Sequence, residues 1–461
     1  MTTVASAGDG ALLPETRSVS VPAYLRVLAV VLFAYAVGGK SFAYLGLPPI
    51  FMGELMLLLG LVTLPMGSLI RVVATGPGLL LLLWMYWCLW RTIPFVPTHG
   101  FDSFRDAAAW GYAALALVVG ANLVHAADPW PVLERWLVRF AWAFPPCILA
   151  LWLWDSVAPD SVPVLSSNGM AGAPLPLFYL KPGDVQVHLA GCFLIGAFLV
   201  RRHRFAVMVM AALGILLFGT GNRGGLVAAI TAVAVAGLLR PHGRAFWIAG
   251  GAVPVVVTAM ALFTALQPLT DSLGSSQRER SVSQLLENVQ SIVDPEGAPG
   301  NLAGTRRWRL QWWTLIIDKS LHDEGGWLGR GFGLNLADAD GFQVVDPDTR
   351  GALRSPHNIH MTMLARAGIP GLALWVGVVA SLLIAGYLGC RRFLAAGRSD
   401  AGFVLLVTAA YALALLVNAT FDVAIEGPMA GIWFWSLAGV LLAGACFRSP
   451  ASALAHAGPV S

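Results

Sequence analysis

The chain has 461 residues, 57% apolar and only 12% charged, with a net charge of +4. A soluble domain carries roughly 25% charged residues, so a water-soluble globule is excluded and lipid is the expected solvent for most of the chain. Disorder, which goes with low hydrophobicity and high net charge, is excluded too, and without a basic stripe no nucleic-acid partner is expected.

Residues 1–23 form a polar tail with no cleavable leader expected, because the first apolar run is followed by many more. A crossing helix takes about 20 mostly apolar residues. Such segments are read at 24–40, 48–66, 78–94, 107–125, 136–155, 186–200, 204–219, 224–240, 245–266, 370–389, 401–419 and 428–446. The expected fold is therefore all-α: a polytopic integral membrane protein of about twelve transmembrane helices, nine within 24–266 and three within 370–446, with a tail at 447–461. The five cysteines lie in or beside apolar runs and suggest neither disulfides nor a CxxC metal site.

Basic residues set the orientation. Alternate connections and the two tails hold 14 Lys and Arg, among them Arg71, Arg135, Arg139, Arg201, Arg202, Arg204, Arg391, Arg392 and Arg398. The short loops of the other set hold 5: Lys40, Arg91, Arg105, Lys181 and Arg223. Both termini are expected in the cytoplasm. The polar segment 267–369 is expected outside; loops of such length are usually functional or disordered. It contains a helical stretch from Thr305 to Ser320, whose tryptophans suggest a helix lying at the membrane surface.

Three places in the chain carry candidate chemistry. The turn Gly219-Thr220-Gly221-Asn222-Arg223-Gly224-Gly225 precedes a helix. It reads either as a tight turn or as an anion site, built from close backbone approach, a helix N-terminus and the guanidinium fork of Arg223. The run Arg306-Arg307-Trp308-Arg309-Leu310-Gln311-Trp312-Trp313 places Arg309 and Trp313 on one helix face; it suits either a diphosphate with its sugars or lipid headgroups. In Ser355-Pro356-His357-Asn358-Ile359-His360, Pro356 fits a first helical turn, so a helix is expected near His357. A histidine here suits a general base or a clamp on an acceptor hydroxyl, or a local polar network. No third zinc ligand stands at fixed spacing. Glu54 within the second span, the Arg105-Asp106 pair and Lys181-Pro182-Gly183-Asp184 are lesser candidates, each with a plain ion-pair or capping explanation.

At these residues the chain resembles the O-antigen ligase and O-antigen polymerase superfamily, best from about 185 to 390. The similar features are Gly221-Asn222-Arg223-Gly224, the Arg309 to Trp313 helix, the turn Gly329-Arg330-Gly331-Phe332-Gly333, and His357-Asn358 followed by Gly368-Ile369-Pro370-Gly371. It departs from many relatives at Arg366, near which they carry an acidic residue. The resemblance implies about twelve spans with a large periplasmic loop in a bacterial inner membrane. It implies an undecaprenyl-diphosphate-linked glycan donor, a glycan or lipid-linked acceptor, and no metal or other cofactor. It casts Arg223 and Arg309 as diphosphate binders and His357 as the residue engaging the acceptor. Arg306, Arg307, Trp313, Arg354, Asn358 and His360 are the accompanying substrate-binding candidates. Two rival classes are a twelve-helix transporter, against which stand the absence of repeated halves and the placement of the long loop, and a non-catalytic assembly factor for surface polysaccharide.

Overall fold

The computed structural model describes residues 21–47, 50–166, 175–240, 251, 253–272, 301–344 and 353–447. The expected tails therefore fall almost wholly outside the described residues, as do 273–300 and 345–352 of the long polar segment. Helices dominate. The only strands among the described residues are two short antiparallel pairs, Gly46–Leu47 with Ile50–Phe51 and Val164–Ser166 with Leu175–Pro176.

The described residues of the twelve apolar segments are largely helical, with 48–49, 245–250 and 252 lying outside the described residues, but seven helices among the described residues are long and apolar enough to cross a membrane. They are Ala23–Ala43, Gly76–His99, Phe101–His125, Trp130–Val157, Ile359–Ala395, Ser399–Ala419 and Pro428–Cys446. The segment expected at 48–66 is instead two helices, Met52–Val62 and Met66–Val73, bent by 104°. Pro65 stands at the break; its missing N–H and fixed ring end a helix. Three further helices, Pro182–Phe198, Arg204–Gly219 and Arg223–Leu239, have only 16 or 17 residues. At 1.5 Å per residue each rises about 25 Å, short of a hydrocarbon core of about 30 Å.

The bundle is layered from inside out. Pro182–Phe198 lies at its centre, buried from Val185 to Ala197, with Ser399–Ala419 and Pro428–Cys446 largely buried beside it. These helices approach closely through small residues, the usual packing mode where lipid supplies no hydrophobic drive between helices. A Cβ on Gly191 would meet the Tyr411 ring at 2.5 Å. Outer helices such as Ala23–Ala43 and Gly76–Trp90 leave leucines, valines and aromatics exposed, as expected of lipid-facing surface.

The stretch expected from Thr305 to Ser320 is a helix, Asn301–His322. Its tryptophan face packs on protein. Trp312 and Ile316 form a small core with Leu336, Ala337, Leu364 and Ala365, and the Trp312 ring stacks on Phe342 at 5.4 Å. The carboxylate of Asp340, fully buried, joins this core to its charges: it accepts from Trp312 Nε1 (2.8 Å), Lys319 Nζ (2.7 Å) and Arg330 Nη1 (2.7 Å). Burial would raise its pKa, but these donors hold it below the usual carboxylate range. A second carboxylate, Asp106 in the helix Phe101–Gly111, takes Arg354 at 3.0 Å, Arg366 at 2.9 Å and the Gly333 N–H at 3.1 Å. The expected Arg105-Asp106 pair is thus replaced: Arg105 faces Asp102 at 3.8 Å, while Asp106 pins the long segment to the bundle.

Glu54 also finds other partners than an arginine. It accepts from the Phe51 N–H at 3.0 Å and from the Tyr112 hydroxyl, closing the first turn of its own helix.

Candidate active site

The connection from Thr420 to Gly427, between the last two helices, gathers the candidate residues. Its Phe421 touches one of them and the turn that carries another. A Cβ on Gly224, next to Arg223, would lie 3.0 Å from the Cβ of Phe421, and Arg309 Nη1 donates to the Phe421 carbonyl oxygen at 2.8 Å. The following residue, Asp422, lies 3.7 Å from His357 Nδ1 and 2.7 Å from Lys181 Nζ. Four segments far apart in sequence thus meet on one short turn.

Local sequence explains each position. Asn222 has extended backbone, and its Oδ1 accepts from the Gly225 N–H at 2.9 Å, so the helix starts at Arg223 with an asparagine cap. Arg223 is half-buried on that first residue. Arg309 lies in the middle of the helix Asn301–His322, and its Nε is buried without a hydrogen-bond partner among the described residues. Burial lowers the Arg309 pKa, which Asp422 partly opposes. The Trp313 Nε1 donates to the Pro356 carbonyl oxygen at 2.9 Å, fastening that helix to the chain just before His357.

The helix expected near His357 starts two residues later. Asn358 caps it, its Oδ1 accepting from the His360 and Met361 N–H groups at 2.9 and 3.3 Å. His357 therefore stands outside the helix with φ 53°, a left-handed conformation in which histidine is one of the commoner non-glycine residues.

Electrostatically, Asp422 is the centre. Burial pushes its carboxyl up, yet Lys181, with His357, holds it well below the usual carboxylate range. Burial likewise pulls Lys181 down, and Asp422 and Asp184 more than reverse this. A second acid on the same turn, Glu426, accepts from Thr362 Oγ1 at 2.9 Å. Its pKa is raised by burial, against hydrogen bonds from Ser355 and Thr362.

Not every candidate converges. Arg354 is engaged by Asp102 and Asp106. The His360 Nδ1 accepts from Trp375 Nε1 at 3.1 Å, and its other nitrogen faces Thr420 at 3.4 Å. The Asn358 side-chain oxygen caps a helix. Arg306 and Arg307 are exposed. These contacts give Arg354, Asn358 and His360 structural work as their first assignment. Sequence reasoning missed Asp422 and Glu426; the available signal was two acids in a short connection on the same expected side as Arg223. Among the described residues no three His, Cys, Asp or Glu side chains group as metal ligands.

Residues 206–376 match the family model described as O-antigen ligase, a segment that holds Arg223, Arg309, the 329–333 turn and His357. No curated protein matches the chain. The family match supports a glycosyltransferase-like role in O-antigen assembly and implies lipid-linked glycan substrates in a membrane setting. Through residues 206–376 the chain is similar to the O-antigen ligases, and the recognition made from its motifs, that of the O-antigen ligase and polymerase superfamily, is borne out.

Proposed function

We propose that this protein transfers a glycan from an undecaprenyl-diphosphate-linked donor to an acceptor sugar hydroxyl, at the outer face of a bacterial inner membrane. The observation that carries the reading is the meeting of Arg309, His357 and the Arg223 turn on Phe421 and Asp422. The reaction breaks the bond between the anomeric carbon and the diphosphate oxygen and forms one to the acceptor oxygen. Negative charge develops on the leaving diphosphate, where preorganised cations act most strongly. Arg309, with a buried unpartnered Nε, and Arg223, on a helix N-terminus, are of the right kind. His357 takes the acceptor hydroxyl proton, and Asp422 orients its imidazole through Nδ1. Undecaprenyl diphosphate leaves. Arg306, Arg307 and the exposed face of Trp313 are proposed to contact the donor glycan.

In this reading the chain makes twelve crossings, the three short helices and the bent pair among them, with both termini cytoplasmic and 267–369 outside. Purified protein supplied with lipid-linked donor is tested against a lipid A-core acceptor and against a second donor repeat. Product on the first marks a ligase and on the second a polymerase. Donor transport without a new glycosidic bond would overturn the reading in favour of a transporter.

A further inference from the structure

Lys181 occupies a place where a lysine is doubly disfavoured. It is half-buried, and it stands at the N-terminal end of the helix Pro182–Phe198, where the helix dipole repels cations. Its compensation is Asp422, 241 positions away, whose two carboxylate oxygens each lie 2.7 Å from Nζ. His357 Nδ1 lies 3.7 Å from the first of these oxygens, which also accepts from the Val423 N–H at 2.7 Å. One carboxylate is therefore shared, closely by the ammonium and loosely by the imidazole.

We propose that Lys181 is a positioning residue for His357: by occupying both oxygens of Asp422 it limits how firmly that carboxylate grips the imidazole, and so keeps His357 able to accept a proton. This rests on the reading of His357 as the group that receives the acceptor hydroxyl proton. The other charges around the pair come from every neighbouring element. Glu426 comes from the same turn, Asp184 from the first turn of the Lys181 helix, Arg309 from the helix Asn301–His322, and Arg366 from the helix after His357. None of them has the two-oxygen contact with Asp422 that Lys181 makes.

The test needs no donor lipid. Full-length protein in detergent is treated with diethyl pyrocarbonate, which reacts with an imidazole only in its unprotonated form, and the modified His357 peptide is quantified by mass spectrometry across pH. In Lys181→Met the carboxylate falls to His357 alone, and the midpoint of reactivity is expected to rise by about one pH unit, the size of effect an adjacent unopposed carboxylate exerts. Lys181→Arg is expected to keep the wild-type midpoint. Asp422→Asn leaves Lys181 in place and is expected to lower it. A Lys181→Met midpoint at or below wild type overturns the proposal, and so does an unmoved midpoint in Asp422→Asn should Lys181→Met fail to fold. Transfer assays on the same preparations separate the two levels: the shift without any wild-type transfer overturns the glycosyltransferase reading and leaves the Lys181 contact standing.

Discussion

Gly329 and Gly368 meet backbone to backbone. A Cβ on Gly329 would lie 2.4 Å from the Gly368 nitrogen, and one on Gly368 would lie 2.2 Å from the Trp327 carbonyl oxygen. Both residues have positive φ, 77° and 72°, and Gly368 interrupts the long helix Ile359–Ala395. The contact lets Arg330 and Gly331 donate to the carbonyls of Ala365 and Arg366 at 2.8 and 2.9 Å. Arg91 Nη2 closes the same junction on the Gly329 carbonyl at 2.7 Å.

Gly368→Ala is therefore expected to destabilise the protein by about 2 kcal/mol or more, since backbone rather than a flexible side chain would have to yield. Gly67→Ala, in a helix with nothing within 4 Å of the added Cβ, serves as the control and should hold its thermal midpoint. Equal midpoints for the two variants in detergent would refute the tight junction.

Asp340 makes a second, pH-dependent prediction. Asp340→Asn removes the charge that Arg330 and Lys319 share, and breaking a buried pair costs roughly 3–5 kcal/mol. The folded pKa is depressed, so this stabilisation is fully present above the unfolded value of about 3.9 and is lost as pH falls through the folded value. Limited proteolysis between 301 and 344 should accelerate below about pH 4 in the wild type, and at neutral pH in Asp340→Asn. Equal resistance of the two proteins at neutral pH would count against it.

Arg223 and His357 should separate donor binding from transfer. A guanidinium fork is not replaced by an ammonium, and a charge-assisted contact is worth about 1.5–3 kcal/mol. Arg223→Lys is expected to fold and to lose at least roughly tenfold in transfer rate, a factor equal to about 1.4 kcal/mol. His357→Ala should bind donor and transfer nothing. Near-normal transfer by both would make the turn and the histidine structural, and lost donor binding in His357→Ala would exchange their roles.

The orientation is open to a labelling test. Val344 is half exposed at the end of the segment 301–344, and the native cysteines are buried or half-buried. Val344→Cys should react with a membrane-impermeant maleimide in intact spheroplasts. Reaction only after lysis would put the segment, and the proposed site, in the cytoplasm.

Much of this arrangement is legible in the sequence because apolar runs and caps are local. Asn222 before Arg223 and the helical stretch around Trp312 report their own structure. Pro65 does so as well, but a hydropathy window averages over it, which is why one expected span is two helices. The convergence on Phe421 and Asp422 depends on contacts between residues 241 or 112 positions apart, and no local pattern encodes them. His357 lies outside its expected helix for a local reason instead: Pro356 and Asn358 both signal helix starts, and the cap decides. Arg354 and His360 looked like ligand-facing groups because their carboxylate and indole partners are distant in sequence.

The left-handed backbone at His357 has an evolutionary edge to it. Such a conformation costs a side-chain-bearing residue roughly 1–2 kcal/mol that glycine does not lose. Glycine at 357 would make a more heat-resistant protein and remove the imidazole in the same step. A library screened by thermal survival alone would drift toward that glycine, and its hardiest members would be inert, as happens where activity and robustness draw on one position.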